Sequence, residues 1–242
     1  DRKRKFIIGD HLGDIQVHNF QSGALMKVFE PHASQITSLR YIDELKYVVS
    51  VSWDGAVVVH DEDPADQGVV VRTMDVANTH RGDISCAAVS FNLTLIATGA
   101  ADKTVRVWDF ETGKLEAKLN HDHEINEIIF LKPYPLIVVA DSAGIVWLYG
   151  VRGCNFKYHC PLTFHHFYKH ENSNSYMAAN GDNDDFGGSQ SPIRGRGTKG
   201  KKSRKLSAIE TRTLTPVLCL AWDNERYLYT GGDRGQVACW DM

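Results

Sequence analysis

The chain has 242 residues, of which 43% are hydrophobic and 24% are charged, and its formal net charge is −3. No apolar run approaches the roughly 18 residues that a membrane-spanning helix needs, so the composition predicts a soluble globular protein. The cysteines are odd in number and lie mostly in apolar stretches, which favours reduced thiols in an intracellular compartment. They are Cys86, Cys154, Cys160, Cys219 and Cys239.

One pattern recurs along the chain: an alternating strand, a tight turn and a second alternating strand. Its clearest copy runs from Thr98 to Phe110, with Asp102-Lys103 at the turn and Trp108-Asp109 near the end. Copies follow one another at about forty residues, apart from one gap of about twice that length, and such periods are typical of units that stack on their neighbours. The copies occupy residues 8–20, 50–62, 98–110, 139–151 and 230–242.

Two further signals repeat at fixed offsets. Four copies carry a glycine at the turn, where a tight hairpin needs positive φ: Gly13, Gly55, Gly144 and Gly235. Upstream, a histidine lies four residues before an isoleucine three times: His32 before Ile36, His80 before Ile84, and His121 before Ile125. These signals indicate a repeated unit of short strands joined by hairpins.

These residues, above all Asp102, Trp108-Asp109 and Trp240-Asp241, resemble the WD-repeat (Trp-Asp) β-propeller family. The resemblance implies an all-β fold, with a single propeller of about five blades or blade parts over residues 1–242. It also implies an excerpt of a larger ring of about seven blades, with a small five-bladed ring as the alternative. The expected units are a partial blade at 1–20 and blades at 32–62, 80–110, 121–151 and 212–242.

In that family a histidine, a serine or threonine, an aspartate and a tryptophan form a buried network in each blade. The third unit carries the full set, whereas the second has His60 in place of tryptophan and the fourth retains only His121. Both eroded blades are expected to be less rigid. The implied structural residues are His32, Ser50, Asp54, His80, Thr98, Asp102, Trp108, His121 and Trp240.

Because these polar residues recur at one offset, they indicate architecture rather than catalysis. No catalytic motif accompanies them, so the sequence predicts that the protein is not an enzyme and uses no cofactor. The cysteines and histidines of residues 154–170 lack the ligand spacing of a structural zinc site, and no metal is expected.

The long gap between Tyr149 and Trp240 has an unusual composition. Residues 171–207 are rich in asparagine, serine, glycine and charge without periodicity, which predicts a disordered basic insertion, with a degenerate blade as the alternative. Within it, residues 194–205 hold seven basic residues and no acidic one. Such a run suits RNA, another polyanion or an acidic surface, or is simply solvated. Its basic residues are Arg194, Arg196, Lys199, Lys201, Lys202, Arg204 and Lys205.

The family resemblance also implies partner-binding positions around the central opening, three and five residues after the repeat histidine and just before the turn aspartate. These positions combine acidic residues with Trp53, a composition that suits a basic segment. Packing of Trp53 within its own blade is the alternative. The positions are occupied by Gln35, Thr37, Trp53, Asp83, Ser85, Glu124, Asn126 and Asp233.

The sequence therefore predicts a non-catalytic, cytoplasmic scaffold that binds a basic peptide or loop of another protein over an acidic rim. One alternative is binding of RNA or a polyanion through residues 194–205. Another is a structural role in a cytoskeletal or ciliary assembly. It rests on a fainter similarity of residues 130–135, FLKPYP, and 140–144, ADSAG, to ciliary WD-repeat proteins that carry EF-hands.

Overall fold

The computed structural model describes residues 4–62, 69–151, 159–165, 167–168 and 213–242. Regular structure in this part of the chain consists of β-strands, with a short 3₁₀ turn at Val76–Asn78. None of its helices is long and apolar enough to cross a membrane. The all-β prediction is confirmed.

The strands form antiparallel sheets in which each strand pairs with the next along the chain. We call the sheets blades and number them in chain order. Blades 2, 3 and 4 have four strands, and blades 1 and 5 have three within the described residues. Blade 1 consists of β1 (Lys5–Gly9), β2 (Ile15–Asn19) and β3 (Leu25–Val28). Blade 2 consists of β4 (Ile36–Ile42), β5 (Tyr47–Ser52), β6 (Val57–Asp61) and β7 (Val70–Thr73).

The remaining blades repeat this plan. A separate pair of short strands, β16 (Phe167–Tyr168) and β17 (Thr213–Leu214), precedes blade 5. Blade 3 consists of β8 (Ile84–Ser90), β9 (Leu95–Ala100), β10 (Thr104–Asp109) and β11 (Leu115–Asn120). Blade 4 consists of β12 (Ile125–Leu131), β13 (Leu136–Asp141), β14 (Ile145–Gly150) and β15 (His159–His165). Blade 5 consists of β18 (Val217–Trp222), β19 (Tyr227–Gly232) and β20 (Val237–Asp241).

The hydrophobic core lies between the blades rather than inside one of them. On β10, Val105 and Val107 pack with residues of blade 4, whereas Trp108 packs with residues of blade 2. Alternate side chains of a strand point to opposite faces, so a middle blade is buried on both sides. A blade cannot bury these two faces alone, which explains why the repeats stack.

The first strands of successive blades pack beside one another: β4 on β8, β8 on β12, and β12 on β18. We call these four the inner strands. Blades arranged side by side around their first strands form the β-propeller that the sequence predicts, and this prediction of the fold is confirmed.

Candidate interaction surface

Blade 3 contains a continuous chain of buried hydrogen bonds. Trp108 Nε1 donates to Thr98 Oγ1 at 2.9 Å, and Thr98 Oγ1 lies 2.8 Å from His80 Nε2. His80 Nδ1 lies 3.1 Å from Asp102 Oδ1. Because an ionised carboxylate only accepts, the network assigns the proton of neutral His80 to Nδ1, and Nε2 accepts from the threonine hydroxyl. The four residues that the sequence groups in this unit thus lie in one network.

Asp102 connects that network to the turn between β9 and β10. It accepts hydrogen bonds from Thr104 Oγ1 at 2.7 Å and from the backbone N–H of Arg81 at 3.0 Å. Burial raises the pKa of the Asp102 carboxyl, but these hydrogen bonds and His80 outweigh burial and hold the pKa below its ordinary value. The carboxylate is therefore ionised at neutral pH, as the network requires.

In blade 2, His60 occupies the tryptophan position and changes the network. His32 lies 3.1 Å from Asp54 Oδ2 through Nδ1 and 2.7 Å from Ser50 Oγ through Nε2. His60 Nε2 also lies 2.9 Å from Ser50 Oγ. As in blade 3, the carboxylate of Asp54 accepts from Nδ1 of His32, so Nε2 of His32 accepts from the Ser50 hydroxyl. The hydroxyl proton is then used, so His60 Nε2 donates to Ser50 Oγ. His60 Nδ1 is left buried without a partner. Burial, with a smaller effect of His32, lowers the pKa of His60 to about 4.

Blade 4 lacks the aspartate at the turn position, where Ala143 stands, but it uses a carboxylate that our sequence analysis missed. Asp141 Oδ1 accepts the backbone N–H groups of Ala143 at 3.0 Å and Ile145 at 2.9 Å, and Oδ2 accepts Trp147 Nε1 at 3.0 Å. His121 Nε2 lies 3.3 Å from the Tyr149 hydroxyl. The turn is thus stabilised from the end of β13, and His121 Nδ1 is buried without a partner.

Asp10 in blade 1 stabilises its turn in the same way. Its Oδ1 accepts the N–H groups of Leu12 and Asp14, both at 2.9 Å. A shared signal in the sequence marks both carboxylates, because each lies three residues before the turn glycine, Gly13 or Gly144.

In blade 5, Trp240 Nε1 donates to Thr230 Oγ1 at 3.0 Å, which repeats the bond between Trp108 and Thr98. Arg234 stands at the position of the turn aspartate, and Gln236 Nε2 donates to Thr215 Oγ1 nearby. Blade 5 therefore keeps the tryptophan end of the network and replaces its acidic end.

Backbone hydrogen bonds hold the predicted partner-binding positions together at one end of the blades. In four blades, the amide just before the turn aspartate position donates to the carbonyl of the residue that precedes the first strand. The bonds are Trp53 N to Gln35 O at 3.1 Å, Ala101 N to Asp83 O at 3.0 Å, Ser142 N to Glu124 O at 2.9 Å, and Asp233 N to Pro216 O at 3.3 Å.

The side chains at the eight predicted positions differ in exposure, and those of Gln35 and Thr37 are partly buried. Asp83, Glu124 and Asp233 are exposed, and Trp53 is 47% exposed, so we call these four residues the acidic rim. By contrast, Ser85 Oγ and Asn126 Nδ2 donate to backbone carbonyls of the following blade. The acidic rim therefore presents three carboxylates and one aromatic ring to solvent, next to other exposed charged residues such as Arg81 and Arg234.

A family model confirms the nature of the repeats. The model described as WD domain, G-beta repeat, matches residues 23–61 and 69–109. These segments are WD40 repeats. The two matches end at the last residues of β6 and β10. Each match therefore covers the last strand of one blade and the first three strands of the next.

Curated relatives match the chain over different lengths. The Tetrahymena thermophila Cilia- and flagella-associated protein 337 B is 20% identical over 99% of this chain and 20% of its own length. The Schizosaccharomyces pombe Poly(A)+ RNA export protein is 23% identical over 44% of this chain and 29% of its own. The chain thus spans less than a third of either relative.

Two solved structures share the fold. A chain of the mitotic checkpoint complex superposes with a TM-score of 0.67 and 15% identity, over 99% of this chain and 59% of that chain. The computationally designed Ika8 protein superposes with a TM-score of 0.63 and 20% identity, over 98% of this chain and 55% of that chain. At these identities the likeness establishes the fold alone.

The predicted insertion and its basic run lie outside the described residues, but the strands that flank it are described. β16 and β17 pair antiparallel, with Phe167 opposite Leu214 and Tyr168 opposite Thr213. Pro216 lies two residues after the end of β17, and its carbonyl oxygen accepts a hydrogen bond from the backbone N–H of Asp233. The chain therefore enters blade 5 next to the acidic rim.

Proposed function

We propose that this WD-repeat propeller is a non-catalytic scaffold that binds a basic peptide or loop of a protein partner across the acidic rim. WD40 repeats support a protein-interaction scaffold in general, and the recurrence of the polar networks at one offset supports a structural rather than catalytic use of their histidines. The observation that carries the finer proposal is the exposure of three carboxylates and one indole on blade ends that backbone hydrogen bonds fix.

The chemistry of the acidic rim favours arginine or lysine. Asp83, Glu124 and Asp233 offer acceptors to a guanidinium or ammonium group, and the exposed face of Trp53 offers a cation–π contact. Opposite charge also accelerates encounter and excludes acidic partners. A partner segment with alternating basic and small residues would therefore engage several blades at once.

The test is binding to an array of arginine- and lysine-rich peptides, each paired with an alanine-substituted version, measured by fluorescence polarisation. Asp83→Lys and Trp53→Ala are each expected to weaken binding about tenfold, the typical loss at a central contact. Glu116→Lys, the same charge reversal on the outer strand β11, is the matched control and is expected to change binding little. Equal binding by all three variants, or by the alanine-substituted peptides, contradicts the proposal.

A second candidate function is binding of RNA or another polyanion through residues 194–205, which carry seven basic residues and no acidic one. The similarity to a Poly(A)+ RNA export protein is compatible with it. Deleting residues 194–205 is expected to abolish binding to poly(A) RNA and to heparin, and the wild-type affinity is expected to fall as salt rises. Binding that survives the deletion contradicts this candidate.

A third candidate is a structural role in a ciliary or cytoskeletal assembly. It rests on the similarity to a cilia- and flagella-associated protein over 99% of this chain. The expected result is that the full-length protein, fluorescently tagged in a ciliated cell, co-fractionates with the axoneme after detergent extraction. Complete release with the soluble fraction contradicts this role and leaves the acidic rim proposal intact.

A further inference from the structure

The inner strands have one edge that faces away from their own blades. In the sheet order, β4, β8, β12 and β18 each stand at the end of a blade, and among the described residues no strand pairs with that second edge. Backbone carbonyls on such an edge need donors from elsewhere. The side chains that supply these donors therefore decide how one inner strand is fixed to the next.

Two of these donors occupy the same position in consecutive blades. Ser85, the second residue of β8, has its Oγ 3.1 Å from Gly99 O of its own blade and closer to the carbonyl of Ile125, the first residue of β12, to which it donates. Asn126, the second residue of β12, donates through Nδ2 to the carbonyl of Val217, the first residue of β18, at 2.7 Å. Different side chains thus make the same connection twice, so the position rather than the residue type defines the bond.

A third connection joins blade 2 to blades 3 and 4. Arg40 Nε donates to Ala87 O on β8 at 2.7 Å, and Nη2 lies 3.4 Å from Glu127 Oε1 on β12. Thr37 stands in β4 at the position of Ser85, but its hydroxyl donates at 3.4 Å to Val51 O within its own blade. The longer arginine therefore makes the connection that the threonine does not.

We propose that Arg40, Ser85 and Asn126 form an inter-blade clamp that makes blades 2 to 5 open as one cooperative unit. Apolar contacts between blades are not directional, so they tolerate sliding, whereas a hydrogen bond to one carbonyl fixes the register of neighbouring strands. In repeat proteins, cooperativity depends on such nearest-neighbour terms. This structural role of Ser85 and Asn126 does not depend on whether the acidic rim binds a basic peptide.

The experiment is native-state hydrogen exchange of the whole chain, followed strand by strand by mass spectrometry. Ser85→Ala is expected to accelerate exchange about tenfold in β12, and Asn126→Ala is expected to do so in β18, the factor for one lost hydrogen bond. The acceptor lies in the blade after the substitution, so loss of the bond lets that blade open separately from the cooperative unit, and the acceleration appears there. Thr37→Val is the matched control, since it removes a hydroxyl at the same position that bonds only its own blade.

A swap between the two positions separates the clamp from a general loss of packing. Asn126→Ser is expected to keep exchange in β18 near the wild-type rate, because serine makes this bond in the preceding blade. Unchanged exchange in Ser85→Ala and Asn126→Ala, or acceleration confined to the substituted strand, overturns the proposal. So does an Asn126→Ser protein that behaves like Asn126→Ala. If Ser85→Ala does not fold, Asn126→Ala and Asn126→Ser decide the question.

Discussion

Trp108 combines two roles in one side chain: it is fully buried between blades 2 and 3, and it donates to Thr98 at one end of the network. We expect Trp108→Ala to lower the free energy of unfolding by about 3–5 kcal/mol, as large-to-small core substitutions do. Urea unfolding followed by circular dichroism measures this loss. Thr98→Val, which keeps the volume and removes the hydroxyl, isolates the polar part and should cost about 1–3 kcal/mol. Unchanged stability of Trp108→Ala would argue against its place in the core.

His60 makes stability depend on pH in a defined window. Its pKa is lowered to about 4 in the folded protein from 6.5, so below 6.5 the unfolded chain binds the proton more readily. The stabilisation is therefore complete above pH 6.5 and is lost as pH falls towards 4, by about 3 kcal/mol in total. Denaturant unfolding at a series of pH values checks this loss.

The matched variant is His60→Gln, whose amide still donates to Ser50 but does not titrate. Burial also lowers the pKa of His80 and His121, so these histidines destabilise the protein in the same direction as pH falls. The variant should therefore show a shallower, not a flat, pH dependence. An identical slope in both proteins would exclude His60 as a major source.

At the scale of single elements, the hairpin turns between strands differ in how much their glycines matter. Gly144 has φ of +88°, and a Cβ there would overlap the carbonyl oxygen of Thr215. Gly23 has φ of +68° but open space around it. We expect Gly23→Ala to cost about 1 kcal/mol from backbone strain alone, and Gly144→Ala about 2–4 kcal/mol because overlap adds to strain. Equal losses in thermal unfolding would contradict this explanation.

These turns also show how far the sequence reaches. Alternating apolar residues and turn glycines predict the strands well, because burial on two faces and positive φ restrict residue type strongly. Lys103 has φ of +62° without glycine, since the Asp102 network holds this turn. The sequence did not predict the role of Asp141, because aligning Tyr149 with Trp108 places Ala143 at the position of Asp102. The Asp141 carboxylate reaches the same turn from two residues earlier in the chain. Sequence position thus predicts the turn better than the side chain that stabilises it.

Across the whole molecule, the interfaces between blades are complementary in a way that no single repeat reveals. Trp108 belongs to the same core cluster as Met74 of the preceding blade, whereas the smaller His60 has the aromatic ring of Phe29 at 5.0 Å. A large residue on one blade is thus matched by a smaller one on its neighbour, which maintains packing density. Erosion of the tryptophan in blade 2 is therefore compensated outside that repeat, so a repeat-by-repeat comparison of sequences overstates the loss.

The connection between blades 4 and 5 allows a test of whether residues 171–207 contribute a blade. β16 and β17 are antiparallel neighbours, so Tyr168 and Thr213 lie close together. After residues 171–207 are deleted, residues 169–170 and 208–212 can connect them as a short loop. We expect the deletion to raise the free energy of unfolding by about 1–2 kcal/mol, since a shorter loop costs less entropy to close. Denaturant unfolding, with hydrogen exchange in β12 and β18 as the local measurement, checks this expectation.

Deleting residues 194–205 alone is the control, because it removes the basic run but leaves most of the connection. It should change unfolding less than the longer deletion does, since closure entropy depends only weakly on length. If the insertion instead provides a degenerate blade that packs elsewhere on the protein, the longer deletion exposes the surface that it covered. Stability would then fall, and exchange would accelerate in both β12 and β18. The sign of the stability change therefore distinguishes an insertion from a blade.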